Sequence, residues 1–304
     1  MHTGLEPANL ESYDNSRSLQ AHQVSGKPKV KHRLISSVIA LPLVLGGIFL
    51  GGIWFSLIII FGAVVSAYEL AKITGKNPRK EPLVSAILSG LIVTFVQTYD
   101  GYISALPGIN IELSASILPL VLLSFVSISI LILLIWGRDR KLGSFTCVVS
   151  SVSYTGGLLS FAVLVRNSEF GFGLIILLSL IVWANDTGSY ITGKAVGKTP
   201  FFPTISPNKT LEGAIGGYVC GLAVAMTSGL LLTRLGFIDL GLYSLITLGI
   251  VFVVLAQAGD LFESALKRRA NLKDSGSIMP GHGGALDRLD SIVLAFPVLY
   301  YFAQ

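Results

Sequence analysis

The stretch GFGLIILLSLIVWANDTGSYITGK, residues 171–194, decides the class of fold. Its first half is almost entirely apolar, and polar side chains gather only towards its end. A helix of this length crosses the roughly 30 Å hydrocarbon layer of a bilayer, because each residue adds about 1.5 Å. The stretch therefore predicts a transmembrane helix whose last turns carry polar groups.

Similar apolar segments recur along almost the whole chain. Hydrophobic residues make up 52% of the 304 residues and charged residues only 13%, whereas a soluble domain carries about 25% charged residues. The segments show no alternation of period two, which favours helices over barrel strands. The sequence predicts an all-α, polytopic integral membrane protein with about nine transmembrane helices, at residues 34–51, 53–71, 83–99, 114–136, 144–165, 170–193, 211–233, 240–266 and 289–304.

The basic residues predict the orientation and the organisation of the chain. All of the 22 Lys and Arg residues except Arg166 and Arg234 fall on one side of the proposed membrane. By the positive-inside rule that side is cytoplasmic, so the N-terminus is expected in the cytoplasm. Residues 1–32 are polar and predict a disordered cytosolic tail. Residues 33–170 are assigned to N-terminal transmembrane helices, and 171–304 to a second transmembrane domain with a polar site facing the cytoplasm.

The first polar cluster lies at the end of the opening stretch, where Asn185 and Asp186 occupy the last turns of an apolar helix. A carboxylate inside a bilayer costs about 2.5–3.5 kcal/mol on insertion scales, so Asp186 is a candidate site residue. The alternative is that Asp186 is hydrated at the interface or pairs with a lysine of the next loop.

The second polar cluster is TISPNKTLEG, residues 204–213. Ser206 and Thr210 are suitable helix-capping residues, and Glu212 can reach back towards free backbone amides. A helix start with free amides and Lys209 beside it would hold an anion such as phosphate. An ordinary capped helix explains the same residues.

The third polar cluster is GDLFESALKRRANLKDSGSIMPGHGGALDRLDS, residues 259–291. The stretch contains Asp260, Glu263, Ser264 and Lys267. Their spacings of three and four residues place them on one helix face, where they form a polar stripe. A glycine-rich segment and further aspartates come next. Carboxylates that hold Mg²⁺ and cations that neutralise phosphate oxygens are what a metal-bound polyphosphate requires. A charged loop that pairs internally is the alternative.

This third cluster resembles the signature of the phosphatidate cytidylyltransferases, also called CDP-diacylglycerol synthases. WANDTGSYITGK and SPNKTLEG resemble two further blocks of that family, so the likeness covers about residues 180 to 300. The N-terminal half is similar only as a set of apolar helices. The pattern that carries the resemblance is Ser264-x-x-Lys267-Arg268-x4-Lys273-Asp274-x-Gly276-x3-Pro280-x-His282-Gly283-Gly284-x2-Asp287-Arg288-x-Asp290.

The resemblance implies an Mg²⁺-dependent nucleotidyltransferase of phospholipid biosynthesis, which makes CDP-diacylglycerol and pyrophosphate from CTP and phosphatidate. It implies that Asp260 and Asp287 bind the metal and that 171–304 is the catalytic domain. It also implies an enzyme of the bacterial inner membrane or an organelle, with a homodimer as an expectation and no nucleic acid partner. The residues that would shape the substrate cavity are Asn185, Asp186, Ser206, Lys209, Thr210, Glu212, Ser264, Gly283, Gly284 and Asp290.

The chemistry of that reaction suits the remaining residues of the third cluster. A phosphatidate monoester is already an anionic nucleophile, so the main demand is to hold two anions in line and to neutralise the leaving pyrophosphate. The amides of Gly283 and Gly284 are assigned to an oxyanion, and His282 would donate a hydrogen bond or orient a carboxylate. The residues assigned to phosphate groups are Lys267, Arg268, Lys273 and Arg288.

Other functions stay open. A transporter or ion channel would line its pathway with Asp186 and Asp260, but the polar residues gather at one side of the predicted membrane, which favours an enzyme. A CTP-dependent kinase of lipid alcohols, or a cytidylyltransferase for another lipid phosphate, fits the same residues.

Overall fold

The computed structural model describes residues 30–103, 111–135, 141–276 and 283–304, and every regular element within these ranges is a helix. The all-α prediction is therefore confirmed for the described part of the chain. Most of the predicted cytosolic tail, and His282, lie outside the described residues. The helices are α1 (Val30–Leu50), α2 (Gly52–Thr74), α3 (Lys80–Ile103), α4 (Ile111–Ile135), α5 (Ser144–Asn167), α6 (Gly171–Val196), α7 (Leu211–Arg234), α8 (Leu242–Arg269), α9 (Leu286–Val293) and α10 (Ala295–Phe302).

Seven of the described helices, α2 to α8, are long and apolar enough to cross a membrane. In α1 the apolar part runs over Val38–Leu50. Large apolar side chains such as Phe49 and Phe145 lie on the outside of the bundle, as expected where lipid is the solvent. The chain is an integral membrane protein, and the total of nine spans and the cytoplasmic N-terminus stay predictions.

The last predicted span differs from the structure. Residues 289–304 do not form one helix, because α9 and α10 are two helices of eight residues each, separated at Leu294. Pro297 explains the break, since proline cannot donate to the carbonyl four residues earlier and its ring clashes with it. That carbonyl belongs to Val293, where α9 ends. A helix of eight residues is only about 12 Å long and does not cross a bilayer by itself.

Helix α5 forms the centre of the bundle, and 89% of an apolar 18-residue stretch within it is buried inside the protein. It contains a π-helical turn over Ser153–Gly157, a feature that often accompanies functional sites. Tyr154 in this turn is fully buried and stacks against Phe262 of α8 at 5.3 Å between ring centroids. The helix thereby connects the N-terminal helices to α8.

Helices α6 and α7 pack closely through glycine. The sequence places Gly213, Gly217 and Gly221 on one face of α7, and all three are buried against neighbouring helices. A Cβ on Gly217 would lie 2.7 Å from both the backbone oxygen and the side-chain oxygen of Asn185. This glycine face therefore serves close packing between helices.

Substituting Gly217 by alanine is expected to destabilise the protein by about 1–3 kcal/mol, because the added methyl group overpacks the α6–α7 contact. Thermal unfolding of the detergent-solubilised protein measures the effect. Gly46→Ala is the matched control, since nothing lies within 4 Å of a Cβ at that helical position. Equal stability of the two variants would contradict this account of the contact.

Candidate active site

The three polar clusters meet around the C-terminal half of α8. Lys209, in the loop before α7, forms an ion pair of 2.6 Å with Asp260 of α8, and both side chains are about one third exposed. The hydroxyl of Ser264 donates to the same carboxylate at 3.4 Å. The second and third clusters of the sequence are therefore joined directly, by a pair that still reaches solvent.

The first cluster reaches α8 through a residue that the sequence analysis did not select. Gln257 Nε2 donates to Asn185 Oδ1 and to the backbone oxygen of Ala214, each at 2.9 Å. Asn185 Nδ2 in turn donates to Asp186 Oδ1 at 3.1 Å. Gln257 thus connects α6, α7 and α8. Its signal in the sequence is a polar amide within an apolar span, one turn before Asp260 on the same face.

Three carboxylates collect beside this connection. Asp186, Asp260 and Asp290 interact electrostatically with one another, and Lys209 is the cation that faces Asp186. Asp290 is 7% exposed, whereas Asp186 is exposed. Like charges repel, so a cation near these carboxylates is favoured. Within the described ranges, however, no group of three or more acidic, His or Cys side chains is arranged to hold a metal ion by itself.

Lys267 lies between two carboxylates. Its Nζ atom is 3.0 Å from Glu263 Oε2 and 2.6 Å from Asp287 Oδ1. Glu263 is fully buried and Lys267 is 9% exposed, so the pairs are largely shielded from water. The predicted polar stripe of α8 is present, but in this structure the ammonium group of Lys267 is occupied by carboxylates of the protein.

Asp287, in the first turn of α9, is held from several sides. Besides Lys267, it accepts hydrogen bonds from the amides of Ser275 at 3.1 Å and Gly284 at 2.8 Å. Burial by itself raises the pKa of the Asp287 carboxyl, but the hydrogen bonds from Lys267 and Gly284 outweigh burial, and the pKa lies below its ordinary value. Asp287 is therefore an anion at neutral pH.

The glycines before α9 allow this arrangement. Gly283 has a φ of 87°, a left-handed conformation that glycine adopts without strain. A Cβ on Gly283 would lie 2.6 Å from Asp287 Oδ2. The Gly284 amide, which the sequence analysis assigned to a substrate oxyanion, donates to Asp287 in this structure. Its role towards a substrate stays a prediction.

Helices α8 and α9 approach each other through the main chain. Gly259 packs against the backbone of Asp290 so closely that a Cβ on Gly259 would collide with the Asp290 carbonyl oxygen. This contact places α9 against the same part of α8 that carries Asp260 and Glu263. The aspartates of α9 therefore face the polar stripe of α8.

The start of α7 is capped as the sequence predicts. Thr210 Oγ1 accepts from the Gly213 amide at 3.2 Å. Glu212 reaches back to the chain after α6, where it accepts from the Lys198 and Thr199 amides and from the Thr199 hydroxyl. Ser206 does not provide the cap, and its backbone oxygen accepts from the Lys209 amide at 3.2 Å. That turn holds Lys209 towards Asp260.

The other basic residues of the third cluster lie at the edge of this region. Arg268 donates to the backbone oxygens of Ile205 and Leu272. With Lys273 it lines a cavity of about 550 Å³ between the loop before α7 and the end of α8. Arg288 is exposed on α9. These cations are placed where a phosphate group can reach them from solvent.

A glutamate from the N-terminal half completes the site. Glu69 of α2 is 2% exposed, and its Oε2 atom accepts from the Ser275 hydroxyl at 3.0 Å and from the Leu286 amide at 2.9 Å. Glu69 is not among the residues that the sequence motifs indicate. Its only local signal is a carboxylate within an apolar span.

The fold and the site together define an integral membrane protein with a charged, partly buried site built on its C-terminal helices. The chain matches the profile of the Cytidylyltransferase family over residues 31–304, and it belongs to that family. The resemblance seen in the sequence is thereby confirmed.

Curated relatives extend the match over most of the chain. A protein of Staphylococcus haemolyticus (strain JCSC1435), named phosphatidate cytidylyltransferase, is 34% identical over 272 residues, which cover 89% of this chain and 97% of the relative. A protein of the same name from Staphylococcus aureus (strain COL) is 34% identical over 274 residues with the same coverage. One from Staphylococcus saprophyticus is 32% identical over 275 residues.

Proposed function

We propose that this protein is a phosphatidate cytidylyltransferase, which transfers the cytidylyl group of CTP to phosphatidate and releases pyrophosphate. One observation carries the proposal, namely the convergence of the Lys209–Asp260 and Lys267–Asp287 pairs at one end of a membrane-embedded helix bundle. The Lys209–Asp260 pair, about one third exposed, can be reached by a polyphosphate from solution, and the apolar helices around it provide access for a lipid within the bilayer. The name shared by the curated relatives supports the same reaction.

The transfer requires little proton chemistry from the protein. A phosphatidate oxygen attacks the α-phosphorus of CTP, a new P–O bond forms, and the bond to the bridging oxygen of the leaving pyrophosphate breaks. The nucleophile is an anion at neutral pH, so the protein has to align two anions and neutralise the charge of the leaving group. We assign the alignment to basic side chains that reach solvent at the site, which are Lys209, Arg268, Lys273 and Arg288.

The donor set fits Mg²⁺, the cofactor that this reaction implies. Mg²⁺ takes oxygen ligands, retains several waters and is usually held by one or two carboxylates plus substrate phosphates, so a group of three protein ligands is not required. Asp260 suits this role because its side chain is one third exposed and it lies among mutually repelling carboxylates. Asp287 has less free capacity, since Lys267 and two amides already donate to it. When bound, the ion would neutralise charge on the triphosphate.

The proposal includes the setting of the enzyme. The excess of Lys and Arg on one side of the helices supports a cytoplasm-facing site in the cell's inner membrane, where CTP is available. A homodimer, and the absence of a nucleic acid partner, belong to the same proposal.

An assay with purified protein in mixed micelles tests the function. We expect CDP-diacylglycerol and pyrophosphate to form from CTP only when phosphatidate and Mg²⁺ are both present. Diacylglycerol replaces phosphatidate in the control reaction, because a lipid-alcohol kinase would phosphorylate it and release CDP. Kinase activity in that control, or no cytidylyl transfer to phosphatidate, would overturn the proposal.

A further inference from the structure

Glu69 is the described carboxylate that links the N-terminal helices to the candidate site. It belongs to α2, yet it accepts hydrogen bonds from Ser275 and Leu286, which lie 206 and 217 residues further along the chain. A carboxylate at this depth of burial is costly unless it is hydrogen-bonded. Its partners are therefore part of what keeps it there.

Both donors are also close to Asp287 in the chain or in space. Ser275 donates its hydroxyl to Glu69 and its amide to Asp287. Leu286 immediately precedes Asp287, and its amide is one of the free N–H groups at the start of α9. Glu69 thus caps α9 from a different helix. It is connected to Asp287 through Ser275, which bonds to both carboxylates, and through Leu286, the residue that precedes Asp287.

Two glycines, Gly276 and Gly284, pack directly against the Glu69 carboxylate. A Cβ on Gly276 would collide with Glu69 Oε1, and a Cβ on Gly284 would collide with both Glu69 oxygens. Both glycines belong to the pattern that carries the resemblance. The backbone therefore approaches Glu69 at both positions.

We propose that Glu69 is a positioning residue for cytidylyl transfer. It fixes Ser275 and the first turn of α9, and these groups hold Asp287 against Lys267. The inference rests on the proposed function for its catalytic consequence, whereas the structural link from Glu69 to Asp287 is independent of which reaction the site performs.

Kinetics of Glu69→Ala and Ser275→Ala test the catalytic consequence. We expect Glu69→Ala to lower kcat by about 10- to 100-fold, the loss typical when a group that orients a site residue is removed. The KM for phosphatidate should change little. Ser275→Ala should reduce kcat in the same direction, and the double variant should be no worse than Glu69→Ala, because both side chains act through one connection.

Glu81→Ala is the matched control. Glu81 of α3 is also buried, at 3% exposure, and accepts hydrogen bonds from the Ser144 hydroxyl and the Asn77 amide, away from α9. We expect Glu81→Ala to lower the melting temperature without lowering kcat per folded molecule. An equal loss of kcat in Glu81→Ala and Glu69→Ala, or wild-type kcat in Glu69→Ala, would overturn the proposal.

A melting experiment separates this proposal from the proposed function. If Glu69 holds Asp287, the melting shift of Glu69→Ala combined with Asp287→Asn should be smaller than the two single shifts added together. Additive shifts would overturn the link even in an active enzyme. If the combined shift is smaller than the sum but the wild-type protein shows no transferase activity, the proposed function is overturned and the link between Glu69 and Asp287 stands. If Glu69→Ala does not fold, Ser275→Ala takes its place in the same cycle.

Discussion

Replacing Asp287 by asparagine should lower turnover by about 100- to 1,000-fold while the protein still folds, as is typical when one preorganised electrostatic group is lost from an active site. Asparagine retains the shape of the side chain but removes the charge that Lys267 faces at 2.6 Å. The Ser275 and Gly284 amides both donate to Asp287 Oδ2, so an asparagine whose oxygen accepts from them turns its NH2 group towards Lys267. The loss should therefore appear in kcat.

Initial rates of CDP-diacylglycerol formation measure this loss, with size-exclusion profiles and melting curves to verify folding. Asp239→Asn is the matched control, because Asp239 is an exposed aspartate between α7 and α8, outside the site. We expect that variant to turn over at the wild-type rate. Wild-type turnover in Asp287→Asn would remove Asp287 from the site and, with it, its assignment to Mg²⁺.

Replacing Lys267 by methionine should destabilise the protein by about 3–5 kcal/mol, the cost of breaking a buried ion pair from one side. Glu263 is fully buried and Asp287 is largely buried, so both carboxylates would lose their cation where water cannot replace it. Activity should fall as well, because Asp287 would lose the group that orients it.

Chemical or thermal unfolding of Lys267→Met in detergent measures the destabilisation. The informative companion is the double variant Glu263→Gln with Lys267→Met, which removes the more deeply buried of the two unpaired charges along with the lysine. We expect it to recover much of the stability but not the activity. A Lys267→Met protein as stable as the wild type would show that the two ion pairs are hydrated or dispensable for folding.

The helices could be predicted largely from hydropathy, since every apolar segment from α2 to α8 is a helix in the structure. A continuous apolar run carries that information in each residue. The division of the last segment into α9 and α10 depends instead on one residue, Pro297, whose effect falls four residues earlier at Val293. A hydropathy average over many residues does not detect the effect of a single proline on the helix.

The residues of the candidate site are easier to select from the sequence than the contacts that these residues make with one another. The polar stripe of α8 and the Thr210 cap follow from local spacing, and both are present. Lys209 pairing with Asp260, and Lys267 lying between Glu263 and Asp287, depend on how separate helices pack. Gln257 and Glu69 were missed for the same reason, because each acts on residues far away in the sequence.

The contact between Gly259 and the Asp290 backbone determines how the site can vary. Because main chain meets main chain there, the distance between α8 and α9 does not depend on any side chain at that point. Substitutions of the Asp287 or Asp290 side chain therefore change the charge on α9 and leave this main-chain contact in place. A larger residue at 259 would displace both aspartates together, so this one position governs the spacing of two acidic groups at once.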